Sequence, residues 1–293
     1  MILTFKWLAL FLLCAPFPFL LQLHSTVDWL GAYMRYLAEP STPAIYDYIV
    51  VGAGSAGSVL AGRLAQAGQS VLLVEAGGSS PWAAHVPLFV GQLQRTVLDW
   101  RYQTEPQAKA GLGAGGVANW PRGKVLGGSS MLNYMLYIRG HKGDYDEWEG
   151  LGLDGWGWED VLPYFKKSEN YSEEDDNLRE HGRDGPMVVT PSPYTDGVTK
   201  AFLEAGKELG YDVGDINTDL RDGGFTVSHT TTSNGKRPGT FKTFAEKYVG
   251  TYLTVMTFSH VRRVIVEDLR AVGIEVSRFG DIQTIMARKE VIL

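Results

Sequence analysis

The sequence predicts an α/β fold, and three observations carry that prediction. A short apolar run, Tyr48-Ile-Val-Val51, ends in Gly52-x-Gly54-x-x-Gly57. A helix-like segment, Ser58 to Ala67, follows, and a second apolar run, Val71 to Val74, ends on the acid Glu75. Strand, glycine turn, helix and strand in that order form a Rossmann-like βαβ unit with a dinucleotide fingerprint. Gly52 permits the tight turn out of the strand. Gly54 lets backbone approach a pyrophosphate, with Ser55 and Ala56 following it, and Gly57 lets the helix sit close to the strand. The helix N-terminus offers free N–H groups and the positive end of its dipole to phosphate. Glu75 stands where a carboxylate can accept hydrogen bonds from adenosine ribose hydroxyls, which argues against a 2′-phosphate and so against NADP. The plainer alternative is a Gly-rich turn in an empty Rossmann-like domain.

The elements follow in chain order. Lys6 precedes an apolar run from Trp7 to Leu21, interrupted by Pro16 and Pro18. The run is shorter than the ~20 residues of a spanning helix and reads as a secretory signal, with a membrane anchor over residues 1–23 as the alternative. Residues 24–44 read as a linker, with Pro40 and Pro43 just before the first strand. Gly68 is a fitting stop for the first helix. Residues 79–122 are irregular and rich in Gly, Pro and aromatics, as loops over a ligand would be. A second Gly-rich turn, Gly123-Lys-Val-Leu-Gly-Gly-Ser-Ser130, leads into the apolar segment Met131 to Ile138. The aromatics from Tyr145 to Phe165 read as core. Residues 168–186, including Glu173-Glu-Asp-Asp176, read as a solvated acidic loop or a lid, and Asn170-Tyr-Ser172 as a glycosylation sequon on it. Val198, Phe202, Ala205 and Leu209 recur at helical spacing ahead of Gly210, which predicts an amphipathic helix over 197–209. From Val261 onward short β runs, Val261 to Val266, Val272 to Val276, Thr284 to Ala287 and Val291 to Leu293, form a meander returning to the sheet.

Composition narrows the function. The chain of 293 residues has a net charge of −6 and 35 glycines. It shows no Lys/Arg run, so nucleic acid is not an expected partner. Cys14 is its one cysteine. If the leader is removed, no thiol chemistry, disulfide or Cys-ligated metal is expected. His141, His181 and His229 lack metal-like spacing and read as surface or loop residues, so no metal site is expected.

The two Gly-rich elements together resemble the glucose–methanol–choline (GMC) family of FAD-dependent oxidoreductases. Gly123-Lys-Val-Leu-Gly127-Gly128-Ser129-Ser130-Met-Leu-Asn133-Tyr-Met-Leu-Tyr137-Ile-Arg-Gly140 matches its first signature. Trp100-x-Tyr-x-Thr-Glu-Pro-Gln107, Tyr164-Phe-Lys-Lys-Ser-Glu169, Asp215-Ile-Asn217 and Ala287-Arg-Lys-Glu-Val-Ile-Leu293 resemble the insect glucose-dehydrogenase-like branch. The resemblance implies a Rossmann-like FAD-binding domain with part of a second, mixed α+β substrate domain. It implies Gly52, Gly54, Ser55, Ala56, Gly57 and Glu75 at the ADP half of FAD. It implies Val125, Gly128, Ser129, Asn133, Tyr134, Met135 and Leu136 near the flavin, Asn133 donating to a ring carbonyl, and Val261 at adenine. Members that attach the flavin use a His near the Ser129–Asn133 turn. Met131 and Leu132 offer no such nucleophile, so non-covalent FAD is expected.

The implied domains are a signal or anchor plus linker over 1–44, the first part of the FAD domain over 45–150, the start of a substrate or cap region over 151–225, and a return to the FAD domain over 226–293. The implied activity is oxidation of a CH–OH group of an alcohol or sugar, with electrons passed to oxygen or a quinone. Family members are about twice this length, and their catalytic His lies in the half beyond this chain. No catalytic residue is therefore assigned here, and the chain alone is expected not to turn over. Arg237 to Ala245 departs from the insect pattern. A non-catalytic FAD-binding module and a nicotinamide dehydrogenase are the alternatives; the second Gly-rich signature speaks against the latter.

Overall fold

A computed structural model describes residues 17–38, 45–172, 181–192, 194–218, 220 and 223–293. The acidic run Glu173 to Asp176 lies outside the described residues. The chain forms two compact units: residues 1–133 with 239–293, and residues 134–238. The sequence boundaries at 150 and 225 fall inside the second unit.

The first unit is built on a six-stranded mixed sheet. β1 (Ile45–Val51) pairs in parallel with β2 (Val71–Val74) through the crossover helix α2 (Ser55–Gln66), which follows the N-terminal helix α1 (Phe17–Ala38). The strand order is β7-β2-β1-β10-β9-β8, with β7 (Leu253–Met256) at one edge. β8 (Ser259–Glu267), β9 (Arg270–Arg278) and β10 (Asp281–Ile292) form the expected antiparallel meander, and β10 returns to lie parallel beside β1. Where separate runs Thr284–Ala287 and Val291–Leu293 were expected, one long strand forms.

Period-two alternation explains the two core layers. Val71 and Leu73 face α2 with Val50, Ala61, Ala65 and Leu253, whereas Leu72 and Val74 face the other way with Ile49, Met256, Ile274 and Ile285. Each fully buried Leu or Ile contributes about 1.5–3 kcal/mol. Gly68, at φ +75°, ends the α2 segment as its sequence position suggests, its N–H donating to the Ala65 carbonyl. The segment that departs from the insect pattern packs closely. A Cβ on Gly62 of α2 would overlap the Phe244 carbonyl, and a Cβ on Gly239 would overlap Met131 Sδ. The Thr240 N–H donates to Ser130 Oγ at 3.0 Å, just ahead of the π-helical turn Phe241–Ala245.

Two expectations for the N-terminal region and the sequon change. Residues 24–38, expected as a linker, belong to α1, because the sequence has no proline between Phe19 and Ala38 to end the helix. Asn170 of the sequon sits half-buried in β5 (Glu169–Tyr171), which pairs in parallel with β6 (Met187–Val189), and not on a loop.

The second unit also holds α4 (Lys142–Gly150), α5 (Trp158–Ser168) and α6 (Gly197–Glu208). α3 (Val90–Leu93) and the short hairpin of β3 (Tyr102–Gln103) and β4 (Asn119–Trp120) belong to the first unit. Tyr145, Trp148, Trp158 and Phe165 form an aromatic cluster, although Trp148, Trp156 and Tyr164 keep exposed surface. α6 forms where its periodicity places it and is capped by Asp196, whose carboxylate accepts the Thr199 N–H at 2.7 Å. Its apolar stripe nonetheless faces outward, with Val198 at 78% and Phe202 at 63% exposure, while Gly206 is the buried residue.

Candidate functional site

The two glycine turns of the first unit meet. The Gly127 N–H donates to the Ala53 carbonyl at 2.8 Å, and a Cβ on Gly128 would come within 2.6 Å of Gly54 Cα. Gly127 and Gly128 both take positive φ, +97° and +56°, so this contact needs glycine on steric and conformational grounds together. Gly57 is held for the reason its spacing gives: a Cβ there would overlap the Gly52 carbonyl oxygen. Gly54 differs. It is the N-cap of α2, no side chain caps that end, and a Cβ on it would meet nothing within 4 Å. The open space over Gly54 is where a phosphate group fits, against unpaired helix N–H groups.

That space belongs to a cavity of about 610 Å³. Of the expected cofactor residues, Gly52, Gly54, Ser55, Glu75, Gly128, Ser129 and Val261 line it. Ala56 and Gly57 form the first turn of α2 just behind. Val125 is fully buried in the core, and it positions the turn through its bridge to Gly78. Asn133 is exposed at the end of the first unit, its N–H donating to the Ser129 carbonyl at 2.9 Å. Tyr134, Met135 and Leu136 open the second unit. There Met135 is buried at φ +62°, its carbonyl accepts the Thr231 N–H at 2.8 Å, and Tyr134 and Leu136 are exposed.

Glu75 is buried at the end of β2. Its Oε2 accepts the Ala53 N–H and its Oε1 the Gly77 N–H, both at 2.9 Å. Burial pushes its pKa up, against the backbone donors of Gly77, Ala53 and Ala76 and the nearby Lys124. The carboxylate thus clamps the first glycine turn to the loop after β2 while lining the cavity.

Sequence reasoning missed an aromatic and cationic wall. Trp100, Tyr102, Arg122, Gly123 and His260 line the same cavity. Trp100 stacks on Tyr102 at an interplanar angle of 3°, meets His260 edge-on, and carries Lys124 Nζ 4.7 Å above its ring. Asp99 sets this loop by accepting the N–H groups of Arg95, Arg101 and Arg122 at 2.7–2.9 Å. Burial opposes its ionisation, but those three donors outweigh it and hold its pKa below the usual value. The Trp100-x-Tyr motif signalled this region without assigning it a role.

The second unit holds a buried chain of charges. Arg139 Nη2 donates to Glu169 Oε2 at 2.6 Å, with both side chains fully buried. His181 Nδ1 lies 2.9 Å from Glu169 Oε1, and His181 Nε2 lies 2.6 Å from Asp215 Oδ2. His229 Nδ1 follows at 3.3 Å from Asp215 Oδ1, and the Tyr171 hydroxyl is 3.1 Å from His229 Nε2. The Tyr171 ring stacks on His181 with centroids 3.9 Å apart. Burial disfavours charge on His181, but its bonds to Asp215 and Glu169 win and raise its pKa to about 9. Burial likewise opposes ionisation of Asp215, yet His181, His229 and the Asn217 N–H hold its carboxyl far below the usual carboxylate range.

This network corrects the sequence expectation for two histidines. His181 and His229 are buried members of it, because carboxylates distant in sequence partner them; only His141 is exposed, as the N-cap of α4. The Asn217 side chain accepts the Arg139 N–H at 2.9 Å and donates to the Tyr137 carbonyl, fixing the strand-like segment after Met135. Among the described residues no cluster suits a metal ion.

Comparison with known proteins now decides the family. The GMC oxidoreductase family matches residues 46–293. The chain belongs to the GMC oxidoreductase family. It is 40% identical over 269 residues to glucose dehydrogenase [FAD, quinone] of Drosophila pseudoobscura, covering 89% of this chain and 43% of that protein. It is 36% identical over 250 residues to an oxygen-dependent choline dehydrogenase of Rhizobium etli, covering 84% and 45%. Among solved structures it is similar to pyridoxine 4-oxidase from Mesorbium loti, with TM-score 0.76, 32% identity and 84% and 48% coverage. Aspergillus oryzae formate oxidase, studied for FAD modification, matches at TM-score 0.76 and 29% identity, with 86% and 46% coverage. The chain thus spans under half the length of these relatives. The GMC assignment agrees with the mixed α/β sheet and with both glycine signatures.

Proposed function

We propose that this chain is the FAD-binding half of a GMC flavoenzyme that oxidises a CH–OH group of an alcohol or sugar. The observation that carries this reading is the junction of the two glycine turns above one cavity, with Gly54 and Gly128 in backbone contact. The donor set suits an FAD adenosine diphosphate portion: unpaired N–H groups at the start of α2 for pyrophosphate, Glu75 for ribose hydroxyls, and the backbone at Val261 beside adenine. Trp100 and His260 supply flat walls, and Arg122 a cation. Ala56 and Gly57 keep the α2 turn close enough to serve, and Val125 keeps the second turn in place.

Bound FAD supplies the acceptor for hydride leaving the alcohol carbon. Asn133, with the Tyr134–Leu136 segment, is assigned to the flavin end, where an amide donor would stabilise negative charge on a ring carbonyl. The flavin is held non-covalently, since Met131 and Leu132 stand where attaching members carry a nucleophile. No residue of this chain is assigned as the base that takes the hydroxyl proton, so the chain alone does not turn over. Relatives named for glucose, choline and pyridoxine support an alcohol or sugar substrate; relatives named for quinone and for oxygen support either acceptor. The N-terminal apolar run supports entry into the secretory pathway and an extracellular site of action.

Chain purified with added FAD is expected to elute yellow, with the flavin band near ~450 nm. Glucose or a simple alcohol added without oxygen is expected to leave that band unbleached. Folded protein that stays colourless would overturn the cofactor assignment, and bleaching would overturn the inactivity.

A further inference from the structure

The helix α1 has two apolar faces, and the fold uses one of them. On the inner face Phe17 and Leu21 are 4% exposed and pack in the core with Leu93, Val125 and Met131. Asp28 Oδ2 accepts the Ser79 N–H at 2.7 Å. Trp29, Tyr33 and Tyr36 surround the Phe279 ring, and the Tyr36 hydroxyl donates to Asp281 at 2.5 Å. The helix is therefore fastened at both ends to the first unit. Removal of residues through Leu21 would strip two large side chains from a packed core.

On the outer face Leu20, Leu23, Val27, Leu30, Met34 and Leu37 form one stripe, spaced alternately three and four residues apart, with exposures between 42% and 61%. Phe19 extends it at 67%. A row of this length exceeds the scattered apolar residues of an ordinary surface. The two formally charged residues of α1 are Asp28, which is engaged with Ser79, and Arg35 in the last turn. The sequence immediately ahead of α1 names the occupant. From Trp7 to Ala15 it is apolar without a charge, with Lys6 before it and Pro16 after it. A helix with one continuous exposed apolar stripe and an opposite face fastened to the protein suits lying along a bilayer surface.

We propose that the outer stripe of α1 lies flat on a lipid bilayer surface and holds this protein at the membrane as a peripheral anchor. At the interface the stripe sinks among the acyl chains while the opposite face of α1 stays fastened to the first unit. Arg35, exposed in the last turn, can extend its charged end toward headgroup phosphate. The anchor is independent of the chemistry assigned to the glycine cavity.

The test is amide hydrogen exchange on the full chain with FAD, with and without phosphatidylcholine vesicles. Exchange across residues 17–38 is expected to slow by about tenfold on adding vesicles. The β8–β9 turn at Leu269 should show no change. The triple substitution Leu23→Glu, Leu30→Glu, Met34→Glu alters exposed positions and should abolish that protection with the melting curve retained. The same treatment of the other exposed stripe, Val198→Glu, Phe202→Glu, Leu209→Glu, should leave it intact. Three outcomes overturn the proposal: no slowing in α1 with vesicles, protection that survives the α1 substitutions, or protection that rises with protein concentration alone, which would assign the stripe to a second copy. Bound flavin is read separately from its absorbance, so a colourless but membrane-protected chain would refute the cofactor assignment and leave the anchor standing.

Discussion

The glycine cavity of the first unit and the charge network of the second are built from opposite materials. The cavity is made of backbone, and its defining residues have no side chain to spare: Gly57 against the Gly52 carbonyl, Gly128 against Gly54. The network is made almost wholly of side chains, Arg139, Glu169, His181, Asp215 and His229, sunk out of water and satisfied by one another. A backbone site tolerates no added atom where chain meets chain, and admits one where the ligand goes. A side-chain network tolerates no lost atom, because each buried charge is compensated by a neighbour. Under the proposed function the first device positions a ligand; the second holds its unit together.

Deletion should separate the two most sharply. Glu169→Ala leaves Arg139 and His181 buried without their shared carboxylate, and the cost is expected at about 3–5 kcal/mol in a denaturant melt. Loss of less than about 1 kcal/mol, the scale of an exposed pair, would show that the network is not the mainstay of its unit.

The pH response comes next in size. The folded pKa of His181 is raised from 6.5 to about 9, so its contribution is whole below about pH 6.5 and fades as pH rises toward 9. Asp215 is depressed from 3.8, so its contribution is present above about pH 4 and is lost as pH falls below that. Stability measured by chemical melts should therefore be greatest between about pH 4 and 6.5, and should fall by about 2–3 kcal/mol on going to pH 9. In His181→Gln the alkaline decline should flatten; an unchanged slope would place its cause elsewhere.

The glycines give the finest comparison. Gly57→Ala forces a methyl onto a carbonyl and is expected to cost about 1–3 kcal/mol and to lose FAD with it. Gly54→Val adds more atoms where nothing stands within 4 Å, at an ordinary φ of −73°, so its melt should shift by less than about 1 kcal/mol. Flavin retention on gel filtration should nevertheless vanish in Gly54→Val. Retained flavin there would show that the space over Gly54 is not the phosphate cradle.

Much of the first unit was legible from sequence because its signals are local. Turn glycines, an apolar run of four and the acid Glu75 all act within a few residues, and β1, α2, β2 and the meander stand where the pattern puts them. The misreadings have one source. His181 looked like a surface residue because its partners Glu169 and Asp215 lie 12 and 34 residues away. α1 looked like a linker because its fastening to Phe279 and Asp281 spans most of the chain. Trp100 and His260 share a cavity wall through an edge-on ring contact between residues far apart in sequence, which no short window contains. Asn170 matched a surface triplet, yet strand pairing with Val188 takes it off the loop.

The sequence by itself determined the glycine turns, the family and the strand-and-helix grammar of the cofactor unit, because steric exclusion at a turn depends on the residue that occupies it. Tertiary structure alone decided which charges are buried together and which apolar faces are left outward. Val198 and Leu23 each belong to a stripe that a periodicity can find, but burial is a property of what stands opposite, and that is set only when the chain has closed.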